Sequence, residues 1–144
     1  MKLSTRSRYG LRFMLDLALN CENGAVFLKD TAKREEISEK YLSQLVIPLK
    51  AVGLINSIRG AHGGYTLAKN PSEISLKNII EILEGDLNLV ACVKDTFSCD
   101  RVSVCTTRGV WAKLGDKIKE LLDSFTLEDL VKEHKEKDLL TYNI

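Results

Sequence analysis

The chain has 144 residues, 44% hydrophobic and 28% charged, with a formal net charge of +1, an ordinary composition for a folded chain long enough to bury a core. No apolar run approaches the roughly 18 residues that a membrane span requires, and Arg12 and Asp16 interrupt the N-terminal stretch that could otherwise serve as a secretory signal, so a cytoplasmic protein without membrane contact is expected. Residues 1–70 hold 11 Lys or Arg against 6 Asp or Glu, net +5, and residues 71–144 hold 10 against 14, net −4; the front half suits phosphate contact and the acidic rear half does not.

From Thr5 to about Asn20, Leu11, Met14, Leu15, Ala18 and Leu19 recur at helical spacing, which predicts a first core helix. A shorter helix is predicted over Lys29 to Arg34. A break through Glu35, Glu36 and Ile37 then leads to Ser38, whose side-chain oxygen can cap the next helix. Two helices about such a break read as a helix-turn-helix. In the second, Leu42, Leu45, Val46 and Leu49 form an inward stripe, leaving Ser38, Glu39, Lys40, Ser43 and Gln44 outside near the N-terminus as candidate base readers. Pro48 cannot donate to the Gln44 carbonyl, so a bend or early end is expected there.

Gly53 closes that helix, after which Leu54 to Arg59 and Tyr65 to Ala68 read as two short strands around Gly60-Ala61-His62-Gly63-Gly64. Arg59 and His62 give the tip cationic or polar reach. A glycine-rich hairpin is common in isolation; behind a helix-turn-helix it reads as a wing able to enter a minor groove.

Pro71 and Ser75 introduce a helix from Leu76 to about Leu83, with Leu76, Ile79, Ile80 and Leu83 inward, closed by Gly85. Asp86 to Thr107 shows no clear period and contains Cys92, Cys99 and Cys105; a loop of about twenty residues in a small domain usually has a function. Beyond it Trp111, Leu114, Ile118, Leu121 and Phe125 alternate steps of three and four, the pattern of a helix seated on a partner helix, although two heptads also fit a helix covering its own domain. Thr126 and Asp129 can form a capping box for a short final helix, and Lys132 to Asp138 reads as a solvated charged segment. The expected fold is mainly α with a small β-wing. It divides into a winged helix-turn-helix domain (1–84), a cysteine-bearing loop (85–107), a dimerisation helix with a short C-terminal helix (108–132) and a charged tail (133–144).

The spacing Cys92-x6-Cys99-x5-Cys105 lacks the CxxC knuckles of structural zinc sites, and a cytoplasmic setting argues against a persistent disulfide. Iron–sulfur ligation is the best chemical fit, because bridging sulfides let a cluster accept thiolates from an irregular loop. A thiol or disulfide sensor, zinc, and unliganded cysteines are the alternatives. Cys21, near the end of an apolar helix, reads as a core residue.

The opening Met1-Lys2-Leu3-Ser4 followed by Arg8-Tyr9, the segment Ile37-Ser38-Glu39-Lys40-Tyr41-Leu42-Ser43-Gln44-Leu45, the wing Ser57-Ile58-Arg59-Gly60-Ala61-His62-Gly63-Gly64-Tyr65 and the three cysteines together resemble the bacterial winged-helix regulators that include IscR, NsrR and CymR. The resemblance covers about residues 1 to 130. Thr106-Thr107-Arg108-Gly109-Val110-Trp111 brings it nearest to the iron–sulfur regulator IscR. It implies a homodimer with crossing long helices, a palindromic double-stranded DNA operator, and a cluster, 2Fe-2S or alternatively 4Fe-4S, on Cys92, Cys99 and Cys105. Arg108 stands where IscR-like chains place a histidine ligand, and Arg8 where NsrR-like chains use an aspartate. The fourth ligand is therefore open among Asp95, Asp100, Thr106, Thr107, an exogenous thiol and a residue of the other subunit. Ser43 replaces an acidic residue of IscR-like chains.

On this reading Ser38 and Tyr41 touch phosphate, Ser43 and Gln44 read major-groove edges with Lys40 beside them, and Arg59, Gly60 and His62 carry the wing contact. The expected function is a transcription regulator sensing iron–sulfur status and controlling cluster-assembly genes. The alternatives are a cluster-free thiol- or partner-controlled repressor of the same fold and a small iron–sulfur electron carrier, which has no need of a helix-turn-helix, a wing or a basic front half. No nucleophile–base constellation points to an enzyme.

Overall fold

A computed structural model of the chain describes residues 2–142. Helix α1 (Thr5–Asn20) begins where the Ser4 hydroxyl accepts from the Ser7 backbone N–H, one of the donors that a helix start leaves unpaired. Its inward residues Phe13, Met14 and Leu17 are fully buried. Helix α2 (Leu28–Glu35) ends at Glu36, whose φ of 54° puts it in the left-handed region, and Ser38 caps α3 (Glu39–Ala51) by accepting from Tyr41 N–H at 3.1 Å. Strands β1 (Ile55–Ile58) and β2 (Gly64–Leu67) pair antiparallel with Ile55 opposite Leu67 and Ile58 opposite Gly64. Helix α4 (Leu76–Glu84) carries a capping box between Ser75 and Asn78, α5 (Ala91–Lys94) is one turn in the cysteine loop, and α6 (Thr106–Ser124) and α7 (Leu127–Tyr142) complete the chain.

The core is a single cluster in which Phe13, Met14 and Leu17 of α1 join Leu42, Leu45 and Leu49 of α3, with Ile55, Ile79 and Leu127. Each such side chain contributes about 1.5–3 kcal/mol by leaving water. Helices α1 and α4 approach closely at Gly10, where a Cβ would lie 2.0 Å from Leu83 Cδ1. Asp16, 3% exposed, accepts from Arg34 Nε at 2.8 Å and from the Thr31 hydroxyl at 2.6 Å, which ties α2 to α1.

Two expectations are corrected. Of the bend or early end expected at Pro48, the early end does not occur: α3 runs three residues further, with Leu49 fully buried beyond it; the carbonyl that loses a partner belongs to exposed Gln44, where water can serve it. The last helix is not short: it spans 16 residues, so the part of the charged tail up to Tyr142 is helical. Lys132 with Glu128, Lys137 with Glu133 and His134 with Asp138 pair one turn apart along it. Its start belongs to the head, because Leu127 N–H donates to Ile74 O at 2.8 Å, Leu76 N–H to Phe125 O at 2.9 Å, and Leu127 is fully buried. Thr126 and Asp129 form the expected capping box. No described helix is long and apolar enough to cross a membrane.

Candidate nucleic-acid interface and cysteine loop

The buried stripe of α3 fixes what the opposite side presents. With Leu42, Leu45, Val46 and Leu49 inward, Ser38, Lys40, Ser43 and Gln44 are exposed, and Tyr41 is half-buried. The Tyr41 ring meets Tyr9 of α1 edge-on, centroids 5.9 Å apart, so its orientation is set by packing. Arg12 braces the turn before α3: its Nε donates to the Glu35 carboxylate at 2.9 Å and its Nη2 to the Glu35 carbonyl. The Ser43 hydroxyl donates to the Lys40 carbonyl at 2.6 Å, leaving Ser43 Oγ as an acceptor for any base.

The hairpin stands beside this helix and is anchored at its root. Val26 and Tyr65 exchange backbone hydrogen bonds at 2.8 Å in both directions, adding a third extended segment that periodicity could not reveal. A Cβ at Gly64 would lie 2.4 Å from Val26 O, and one at Gly63 2.4 Å from Ile58 O, so Gly64 lets the wing close on the head and Gly63 lets the hairpin tip close on itself. Gly60, with φ of 111°, turns the tip, and Arg59, Gly60 and His62 are all exposed. The front-half candidates on α3 and on the wing are thus exposed, apart from half-buried Tyr41.

The cysteines are arranged differently. Cys92 lies in α5, half-buried; Cys99 is exposed; Cys105 is the residue preceding α6, half-buried; all four cysteines are free. Among the described residues, no group of three or more His, Cys, Asp or Glu side chains is placed to hold a metal ion. The thiol donors suit an iron–sulfur cluster in kind, and the loop does not gather them in place. Arg108 engages backbone instead: its Nε donates to Cys92 O at 2.9 Å and its Nη2 to Val93 O at 3.4 Å, clasping α5 to α6. Asp95 accepts from Phe97 N–H at 2.9 Å, a local turn contact. The Thr107 hydroxyl lies 3.3 Å from Cys105 Sγ. That hydrogen bond first, then the Arg108 and Thr107 backbone N–H groups and the Arg101 charge, hold the Cys105 thiol below its ordinary value. Cys21 Sγ faces Ala18 O at 3.6 Å at the end of α1.

A helix-turn-helix followed by a two-stranded wing, with polar and cationic side chains exposed on both, defines a winged-helix DNA-binding regulator. Residues 3–133 match the Rrf2 family, described as iron-dependent transcriptional regulator; the chain belongs to that family. The transcriptional regulator CymR of Bacillus subtilis is 44% identical over 130 residues, covering 90% of this chain and 89% of that protein. The solved structure of CymR, described as the global cysteine regulator of that organism, is similar with a TM-score of 0.77 at 42% identity, covering 92% of this chain and 98% of that one. The T. potens IscR structure has a TM-score of 0.78 at 39% identity, covering 95% and 90%, and IscR of Pectobacterium atrosepticum is 37% identical over 131 residues, covering 91% and 79%. These relatives are named transcriptional regulators, a non-enzymatic role.

Proposed function

We propose that two copies of this chain pair through α6 and bind one palindromic operator, each laying α3 in a major groove and its wing in the adjacent minor groove. The observation that carries the reading is exposure on both elements: Lys40, Ser43 and Gln44 on α3 and Arg59 and His62 on the wing face solvent, while Leu42, Leu45, Val46 and Leu49 on the other side of α3 are buried. Ser38 and Tyr41 contact phosphate, Ser43 and Gln44 meet base edges, and Arg59 enters the minor groove, where a narrow groove favours an arginine.

The proposed input is iron–sulfur status, read by Cys92, Cys99 and Cys105, and the proposed targets are cluster-assembly genes. Three thiols confined to the short segment before α6 support it, with the resemblance to IscR. A bound cluster would supply a charge that changes with occupancy and redox state. The chain's own residues carry the consequence: Cys105 immediately precedes α6, and the Arg108 clasp ties the first turn of α6 to α5. A second reading, thiol chemistry without a cluster, is favoured by the Thr107 contact that activates Cys105, by the engaged Arg108 and by the likeness to CymR.

The test is anaerobic purification with iron, sulfide and visible absorption measured, followed by titration of one sample against promoter DNA before and after cluster removal. A coloured protein whose DNA affinity changes on removal is expected. A colourless protein that binds DNA tightly and responds to thiol oxidation would replace the cluster with the second reading.

A further inference from the structure

Lys40, Ser43, Gln44, Ile47 and Ala51 follow one another at steps of one, three and four, which places them on one side of α3, and all are exposed. Ile47 is the odd member, with 68% of its surface in water. A β-branched residue is an indifferent helix former, and Ile47 lies outside the inward stripe, so neither local structure nor the core explains it. Single exposed apolar side chains are common; the position of this one is informative. It borders a shallow depression between α3 and β2 that is also lined by Ser43, Val46, Lys50 and Tyr65.

The neighbours narrow what could cover it. Lys40 and Lys50, one to either side along the helix, suit phosphates. The Ser43 hydroxyl proton is already donated to the Lys40 carbonyl, so beside the Gln44 amide, which both donates and accepts, this side offers a base one apolar group and one acceptor. In a major groove the apolar feature of the four ordinary bases is the thymine methyl group, and the donors an acceptor can meet are the amino groups of adenine and cytosine.

Resting on the reading of α3 as the recognition helix, we infer that Ile47 is a specificity-determining residue that packs on a thymine methyl group in each operator half-site. The surface is continuous with the proposed base-reading residues, and its flanking lysines match a polyanion, which commits the occupant to duplex DNA over an apolar protein surface.

The experiment uses duplexes selected from random-sequence DNA by the full-length wild-type protein, in which each thymine is replaced in turn by deoxyuridine, removing only the methyl. The wild type should lose about fourfold in affinity at one position of a half-site and about fifteenfold when both half-sites are changed, the worth of one buried methyl each. Ile47→Ala should bind the unmodified duplex more weakly by a similar factor and become indifferent to uracil at that position alone. Thermal unfolding of Ile47→Ala should match the wild type, since the side chain is exposed. Equal uracil profiles for both proteins at every position overturn the inference. Gln44→Ala and Arg59→Ala on the same duplex separate the two levels: if they weaken binding while the profiles stay equal, the recognition face stands and Ile47 has no part in it. If neither they nor Ile47→Ala weakens binding, or if no duplex is enriched, the face itself is wrong.

Discussion

Helices α1, α3 and α4 and the base of the wing bury their inward apolar stripes within the one chain, Ile47 of α3 lying outside its stripe, whereas α6, 19 residues long, buries only Gly115. Trp111 is 40% exposed and Leu121 60% exposed, yet both belong to a stripe as regular as that of α3. The head's periodicity is satisfied by its own chain, and most of the stripe on α6 is left exposed in the single chain. A repeat of apolar residues therefore specifies that a face will be covered and is silent on which molecule covers it.

The largest expected effect tests the head. Phe13→Ala removes a fully buried ring and should destabilise the protein by about 3–5 kcal/mol, read as a fall in denaturation midpoint. Leu121→Ala, 60% exposed in the single chain, should leave unfolding of the isolated subunit within about 0.5 kcal/mol; comparable losses from the two would erase the contrast. Trp111→Ala should instead raise the dimer dissociation constant about thirtyfold or more, the size usual for a buried interface tryptophan. Sedimentation velocity over a concentration series reads this directly, and an unchanged monomer–dimer balance would assign the stripe another role.

What could be read in the sequence follows the same division. The ends of α1 and α4 and the start of α3 were legible because caps and stripes are local: Ser38, Ser75 and the Thr126–Asp129 pair act within four residues of themselves. The Val26–Tyr65 bridge, the entry of Leu127 into the core and the Arg108 clasp join positions 15 to 53 residues apart, and no local pattern records them. The length of α7 did leave a sign in its opposite charges one turn apart, which also fits a solvated tail. At the DNA face the exposed set was legible and the spent donor of Ser43 was not, because that bond exists only once α3 has formed. For the cysteines, spacing conveyed ligand chemistry without saying whether the loop gathers the thiols.

Within the rear region, the Thr107 hydroxyl is the first cause of the lowered Cys105 value, so Thr107→Ala should move the pH midpoint of Cys105 alkylation upward. The measurement is iodoacetamide rate against pH with the modified residue identified by mass spectrometry. A midpoint unmoved by Thr107→Ala would leave the helix-end amides and Arg101 as the cause.

The smallest effect lies on the border between the two regions. Glu84, last residue of α4 before the chain enters the cysteine loop, accepts from the Ser4 hydroxyl at 2.6 Å, from the Ser4 backbone N–H at 3.3 Å and from the buried Ser7 hydroxyl. The side-chain bond from Ser4, then that from Ser7, lower its pKa from the ordinary 4.5. A carboxylate depressed on folding contributes stability that is fully present above its unfolded value and is lost as pH falls through the folded one. Glu84→Gln should therefore lower stability near neutral pH by less than about 1 kcal/mol, the group being close to solvent, with the gap to wild type closing below about pH 4. Urea unfolding of both proteins across that range is the check. A gap that persists unchanged into acid would mean that the hydrogen bonds act equally well on the neutral side chain, and that the charge of Glu84 does not help hold the start of α1 to the end of α4.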